Sequence, residues 1–232
     1  MTTDSPNYSD IQIKFSEEEL NRLKKDTKKI LACNRILKVE KLHFCIYIIL
    51  LVVSVSLLVP YLFVLTNCEQ TKNIFSTMMS IGAGIIGAVI LAYLIEWSNT
   101  MLSDKKVVRD YNSSIQNIHF TLWKVFACRS LSIFKGKAAQ AKPFLDQMTD
   151  MYISYYELAI NQIDAHMKQF ENLINAERHN ELVLVKERLI KFISDLKNQI
   201  DPEHRLLLLD GTKDWLKGHC TLEWLKKQFL IF

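Results

Sequence analysis

The sequence has few of the residues that build phosphate, metal or nucleophile sites. Only six of its 232 residues are glycine, and three of these, Gly82, Gly84 and Gly87, lie in one apolar run. The rest of the chain therefore lacks the glycine patterns of phosphate-binding loops and dinucleotide folds. The six histidines never share the helical spacing of a metal-ligand pair, so we expect no metal, no cofactor and no catalytic residues. These absences point away from an enzyme.

Paired cysteines and a strong excess of one charge are also missing. The five cysteines are far apart, and no two have the Cys-x-x-Cys spacing of zinc and redox sites. The 29 basic residues are nearly balanced by 25 acidic ones, and both signs are dispersed along the predicted helices. This distribution is not typical of a nucleic-acid surface, so we expect no direct sequence-specific contact with nucleic acid.

Two long runs without charged residues dominate the first half of the chain. They cover residues 44–68 and 73–95, and only four residues separate them. At ~1.5 Å per residue, a helix of either length can cross a hydrocarbon core of about 30 Å. We therefore predict a first transmembrane helix at 44–66, an extracytoplasmic turn at 67–75 and a second transmembrane helix at 76–97.

Basic residues flank the two runs on the sides away from the turn, which itself has one lysine. Cytoplasmic loops carry such an excess of Lys and Arg, so this bias predicts a multi-pass protein with both termini in the cytosol. The basic residues expected at the membrane interface are Arg35, Lys38, Lys41, Lys105, Lys106 and Arg109.

The second run carries small residues at helical spacing, which favours close packing against another helix. The partner is either the first span of the same hairpin or a second copy of the chain, which would make the protein a homo-oligomer. Glu96 continues the four-residue series, and it either lines the inner edge of a pore or extends into cytosolic water. The candidate packing residues are Ser76, Ser80, Ala83, Gly84, Gly87, Ala88 and Ala92.

The segments outside the apolar runs are predicted to be helical. Ser16 and Glu19 have the spacing of a capping box, and apolar residues then recur at helical spacing. Beyond the second run no glycine or proline occurs before Gly136, so the second span is expected to continue as one helix. Pro143 opens a further helix. The predicted segments are a flexible tail at 1–15, a cytosolic amphipathic helix at 16–43, a cytosolic helix continuing from the second span at 98–135, a long helix or helix pair at 143–200 and a short helical, tryptophan-containing tail at 201–232.

Two details of the last hundred residues stay open in the sequence. The polar stretch 177–181 is either a kink or a solvated turn of the same helix. In the tail, a turn is expected at Asp210-Gly211, and the tail is either a cap folded back on the bundle or an element that docks a partner or the membrane surface. Its candidate docking residues are Trp215, Trp224 and Phe229. Overall we predict an all-α membrane protein, a two-helix transmembrane hairpin with long cytosolic helices forming a bundle or coiled coil.

The order of these parts resembles the SLATT class of two-transmembrane bacterial effectors. The similarity covers about residues 20–125. It includes the local amino-acid sequence of residues 34–42, which lead into the first run, and of residues 93–111, which leave the second. It implies a toxin-like effector of anti-phage defence, including the effectors that accompany retrons, in the bacterial inner membrane. On this resemblance, a protein or ribonucleoprotein sensor releases the effector, which then disrupts the membrane in an abortive infection.

Three function classes follow from the sequence. The leading hypothesis is a non-enzymatic, oligomerising membrane effector that permeabilises or depolarises the inner membrane when a partner triggers it. The alternative is a membrane-anchored helical scaffold or adaptor for a cytosolic protein. An ion-channel subunit is disfavoured, because the two runs contain no charge other than Glu96 at the edge to select ions.

Overall fold

The computed structural model describes residues 13–35, 45–56, 69–127 and 131–231. Most of these residues are helical and none of them is in a β-strand, which confirms the all-α prediction for the part of the chain that is described. The helices are α1 (Glu17–Arg35), α2 (Cys45–Ser56), α3 (Glu69–Ala127), a short 3-10 helix (Leu131–Phe134), α4 (Lys142–Gln169), α5 (Ala176–Asn198), α6 (Pro202–His219) and α7 (Leu222–Gln228).

The chain divides into two compact units. The first, which we call the bundle, comprises Met1–Lys28 and Val108–Phe232. The second, which we call the apolar unit, comprises Lys29–Val107. The helix α3 is continuous through both, so its first part belongs to the apolar unit and its last part to the bundle.

The core of the bundle is built on the last five turns of α3. The apolar residues that recur there at three- and four-residue spacing are all buried, as their periodicity predicts. Burying one Ile or Leu side chain of this kind stabilises a fold by about 1.5–3 kcal/mol. The helices α4, α5 and α6 pack against one another in the same unit. The buried stripe of α3 consists of Val108, Tyr111, Ile115, Ile118, Leu122 and Val125.

The local signals for helix starts are confirmed. The backbone N–H of Ser16 donates to the Glu19 carboxylate at 2.8 Å, and the N–H of Glu19 donates to the Ser16 hydroxyl at 3.2 Å. This is the reciprocal capping box. Pro143 lies in the first turn of α4, where its missing N–H costs nothing. Gly136 precedes it with φ of 72°, a left-handed conformation that favours glycine.

The predicted long helix 143–200 is a pair of helices, and the break is not at the polar stretch 177–181. The chain turns at residues 170–175, between α4 and α5, and residues 177–181 are helical. The side chain of Asn175 accepts a hydrogen bond of 2.8 Å from the backbone N–H of Arg178, which caps α5. The capping residue therefore decides the position of the break, and the charged residues after it occupy the first turns of α5.

Three other boundaries differ from the prediction. The helix α3 begins at Glu69, so residues 69–75 are helical rather than in the turn 67–75, and residues 67–68 lie outside the described part. The same helix ends at Ala127 instead of continuing to residue 135. The helix α6 runs through Asp210-Gly211 without a turn, because Gly211 tolerates helical backbone when the flanking side chains pack on both sides.

One helix among the described residues is long and apolar enough to cross a membrane. It is the part of α3 that starts at Met79, and only 11% of its most apolar window is buried within the protein. The helix α2 covers 12 residues of the first run, about 18 Å at ~1.5 Å per residue. The rest of the predicted first span, residues 57–66, lies outside the described part. One candidate span is therefore present, and the two-span hairpin is not confirmed.

Candidate functional site

The small residues of α3 lie on a face that the described residues leave open. Ser76, Ser80, Ala83, Gly84, Gly87 and Ala88 are exposed, and Ala92 is half-buried. A Cβ atom added to either glycine would meet no atom of the described residues within 4 Å. This surface can therefore accept the close approach of another helix without a steric clash.

A different face of α3 is covered within the apolar unit. Gly82 and Val89 are buried, and Ile85 and Ile86 are half-buried between them. On α2, Ser54 is buried, and its hydroxyl donates a hydrogen bond of 2.6 Å to the carbonyl of Leu50 in the same helix. The covered face and the small-residue face thus point in different directions around α3, because their positions are offset by about half a turn.

Glu96 has a partner within the apolar unit. Its carboxylate accepts a hydrogen bond of 2.7 Å from the phenol of Tyr47 on α2. Its backbone carbonyl accepts a second bond, of 2.9 Å, from the hydroxyl of Thr100. The acid that ends the small-residue series is thus held by a neighbouring helix at the edge of the apolar stretch.

The predicted interface cations are found only in part within the described residues. Lys105, Lys106 and Arg109 are exposed on α3, next to the end of the apolar stretch. The Arg109 guanidinium lies 3.7 Å from the carboxylate of its neighbour Asp110. Arg35 ends α1, and Lys38 and Lys41 lie outside the described part of the chain.

The aromatic residues of the predicted tail pack inside the bundle. Trp224 and Phe229 are buried, and Trp215 is half-buried. The Trp215 ring stacks on His219 with 4.5 Å between centroids and meets Phe192 edge-on at 5.6 Å. Of the two interpretations of this tail, the arrangement favours the cap folded back on the bundle.

The residues that follow α7 form a polar cluster that the sequence did not suggest. We call Gln228–Ile231 the latch segment. The Asn112 side chain of α3 both donates to the Leu230 carbonyl and accepts from the Leu230 N–H, the second bond being 2.8 Å long. The Gln228 side chain, fully buried, donates to the Glu181 carboxylate of α5 at 2.7 Å. Main-chain groups buried in this way need such partners.

Arg178 of α5 holds the same region from another side. Its Nε donates to the carbonyl of Lys227 at 3.2 Å, and its Nη2 donates to the carbonyl of Phe229 at 3.3 Å. Arg178 as a whole is only 8% exposed. Burial raises the pKa of the neighbouring Tyr111 phenol, and the charge of Arg178 opposes that rise.

The first half of α1 completes the cluster. The hydroxyl of Thr27, fully buried, donates to the carbonyl of Ile231 at 2.8 Å. The Phe15 ring meets the Phe229 ring edge-on at 6.1 Å, and the Lys226 ammonium lies 5.9 Å from the centre of the Phe15 ring. Side chains from three helices thus converge on one short segment.

Burial favours the neutral forms of two histidines and one cysteine of the bundle. Burial lowers the pKa of His166 to about 4 and raises the pKa of the Cys220 thiol to about 12. Burial also lowers the pKa of His119, which lies between the rings of Trp123 and Trp224. A thiol with so high a pKa is a poor nucleophile. Within the described ranges, no group of three or more His, Cys, Asp or Glu side chains is placed to hold a metal ion.

No protein-family model, curated protein or solved structure matches this chain. The two arrangements of its described residues that are most distinctive are the exposed small-residue face of α3 and the cluster around the latch segment.

Sequence reasoning identified the first of these features and missed the second. Arg178 precedes Leu182, Val185 and Leu189 at the spacing of the buried face of α5, and a charge in that position was the available signal. Asn112 follows the buried Tyr111 and carries no comparable signal. Its partner Leu230 is 118 positions away, beyond the reach of any periodic pattern.

Proposed function

We propose that the chain is a non-enzymatic effector of bacterial anti-phage defence that acts on the inner membrane. In this proposal it is a multi-pass protein with both termini in the cytosol, anchored by a hairpin of the two apolar runs. A protein or ribonucleoprotein sensor releases it, and the released protein oligomerises and makes the membrane leaky. The observation that carries the proposal is the open small-residue face of α3.

That face suits a second copy of the same helix. Association of helices in lipid depends on close backbone approach, because lipid tails offer no hydrophobic drive between them. Among the described residues no atom lies within 4 Å of a Cβ atom added at Gly84 or Gly87, which supports another subunit as the partner of this face. In the proposed oligomer, Glu96 lies near the inner edge of the assembled spans, beside Tyr47.

The continuity of α3 supports control of the membrane part by the bundle. The helix has no proline, and its last glycine is Gly87, so no residue between the apolar stretch and the bundle core favours a kink. The apolar stripe of its last part, from Val108 to Val125 at three- and four-residue spacing, is buried in the bundle. A partner that changes the packing of the bundle therefore acts on the same continuous helix that carries the small-residue face.

Membrane potential in living cells tests the proposal. The full chain is expressed in bacteria with and without its neighbouring genes, and a potential-sensitive dye is followed during phage challenge. We expect depolarisation when the trigger is present. Unchanged polarisation under every triggering condition would contradict the effector function.

The same experiment separates the effector from a membrane-anchored scaffold. Both apolar runs are replaced by an unrelated transmembrane hairpin, and partner capture is measured beside depolarisation. An effector loses depolarisation in this exchange, because the small-residue face is gone. A scaffold does not need the original spans, so partner capture that survives the exchange without any change in depolarisation identifies the scaffold instead.

A further inference from the structure

The latch segment has the features of a peptide bound in a groove. Phe229 is extended, with φ of −71° and ψ of 144°, and Gln228, Phe229 and Leu230 are at least 95% buried. Main-chain groups of Lys227, Phe229, Leu230 and Ile231 all bond to side chains of other helices. Recognition through the backbone is how proteins bind extended peptides, with pockets for alternate side chains.

We infer that Asn112, Arg178 and Thr27 form a binding groove for an extended peptide, that the chain's own latch segment fills it, and that this occupancy fastens α1 to the bundle. Asn112 fixes the position of the latch segment along the groove, because its side chain hydrogen-bonds to both the N–H and the C=O of Leu230. Arg178 holds the segment on the α7 side. Thr27 then bonds to a carbonyl that the other two have positioned.

The latch segment makes buried contacts with α1, whereas an open cleft lies between α1 and the helices α5 and α7. A cleft of about 340 Å³ lies between α1 and the helices α5 and α7, and Glu19, Arg22 and Leu23 line it on the α1 side. Thr27 and Phe15 contact Ile231 and Phe229 directly. Loss of the latch contacts therefore removes the hydrogen bond and the ring contact that hold this half of α1.

The regulatory meaning of the groove rests on the proposed function. The helix α1 precedes the first apolar run, so its release frees the segment that leads into the membrane hairpin. In this scheme the filled groove is the silent state and the empty groove is the active one. The groove itself is a property of the bundle, and it is tested without any membrane readout.

The first test removes one hydroxyl. In the full chain in detergent micelles, Thr27→Val deletes the bond to Ile231 and keeps the side-chain shape. We expect amide hydrogen exchange in residues 17–28 to rise roughly two- to tenfold, with α4 and α5 unchanged, as loss of one buried hydrogen bond predicts. The matched control is Thr149→Val, because the Thr149 hydroxyl is also buried and bonds only the Leu145 carbonyl of its own helix. Equal exchange in the two variants over residues 17–28 would overturn the fastening of α1.

The second test empties the groove and refills it. Leu230→Asp places a charge in a fully buried position and should expel the segment while Asn112, Arg178 and Thr27 stay intact. A labelled synthetic peptide of residues 222–231 should bind this variant and not the wild type, and the same peptide carrying Leu230→Asp should not bind. If amide hydrogen exchange of α4 and α5 in this variant matches wild type and the peptide still does not bind, the groove is overturned.

If Leu230→Asp fails to fold, Asn112→Asp replaces it in the hydrogen-exchange experiment. Asn112→Asp should raise amide hydrogen exchange in residues 17–28. Unchanged exchange there would overturn the groove as well.

A dye-release measurement in vesicles separates this inference from the proposed function. Fast exchange of α1 in Thr27→Val with no leakage supports the groove and contradicts the scheme in which the filled groove keeps the effector silent. Leakage with unchanged exchange contradicts the groove and leaves the effector standing.

Discussion

The phenol of Tyr47 on α2 donates a hydrogen bond of 2.7 Å to the carboxylate of Glu96 on α3. The Tyr47 ring also meets Tyr93 edge-on, with 6.3 Å between the ring centroids. An acid at the edge of an apolar stretch is costly unless it is paired. This pair therefore ties the described part of the first apolar run to the second.

The pair predicts energetic coupling between α2 and α3. In a double-mutant cycle of Tyr47→Phe and Glu96→Leu, which removes first the donor and then the acceptor, the effects of the two changes on stability should be clearly non-additive. The measurement is the free energy of unfolding of the full chain in detergent micelles. Strictly additive effects of the two changes would contradict the pairing.

Bulk on the small-residue face should abolish function and preserve insertion. In Gly84→Leu the added side chain separates the backbones of two facing helices, so we expect depolarisation and cross-linked oligomers to fall to the level of an empty vector. Protease protection of the spans should match wild type.

The control for this variant adds bulk to the same helix elsewhere. Ile90 is 52% exposed and lies about 120° around α3 from Gly84, at the edge of the face beside Ala83. Ile90→Phe should reduce depolarisation and oligomers far less than Gly84→Leu does. A loss of equal size in both variants would mean that bulk anywhere on α3 is harmful and that the small-residue face has no special role.

His166 makes the stability of the bundle dependent on pH. Its ring is fully buried, 4.6 Å from Tyr111 and 5.1 Å from Phe170 between centroids, and burial lowers its pKa from 6.5 to about 4. The unfolded chain binds a proton at this histidine below about pH 6.5, and the folded chain does so only near pH 4. Stability is therefore complete above pH 6.5 and falls as the pH drops towards 4, by about 3 kcal/mol from this group.

The variant His166→Gln should remove this part of the pH dependence. Its free energy of unfolding, measured by urea titration between pH 7 and pH 4, should change with pH less steeply than that of wild type. His179→Gln, at an exposed position of α5, is the control and should keep the wild-type slope. A wild-type slope in His166→Gln would contradict the buried neutral histidine.

The contact between Tyr156 and Thr212 joins α4 to α6 through a buried hydrogen bond. The phenol of Tyr156 donates to the Thr212 hydroxyl at 3.0 Å, and that hydroxyl donates to the Leu209 carbonyl. Tyr156→Phe should lower the free energy of unfolding by about 1 kcal/mol. Tyr155→Phe is the matched control, because Tyr155 is half-buried and its ring, which receives the Lys124 ammonium, stays in place. Equal effects of the two changes would show that the bond adds nothing.

Local signals predicted the fold where the deciding interaction is local. The capping box of Ser16 and Glu19 spans three residues, and the buried stripe of α3 is a periodicity along one helix. The break between α4 and α5 was not predicted, because the polar stretch 177–181 fits a kink and a solvated helical turn equally well, and it is helical. Asn175, a single capping residue two positions earlier, decides it.

The candidate site also has one part that local sequence spacing predicts and one part that it does not. The small-residue face of α3 could be read from the spacing of Gly84 and its neighbours, but which face α2 covers could not. The latch cluster joins Asn112 to Leu230 and Thr27 to Ile231, residues 118 and 204 positions apart. Such pairs depend on how helices stack, and a single sequence leaves no periodic trace of them.

The distance in sequence between Thr27 and its acceptor has a consequence for synthesis. The ribosome must add 204 further residues after Thr27 before the Ile231 carbonyl exists. At ~5–20 residues per second this takes roughly 10–40 s. Every newly made chain therefore passes through a period in which its apolar helix is complete and α1 is still undocked.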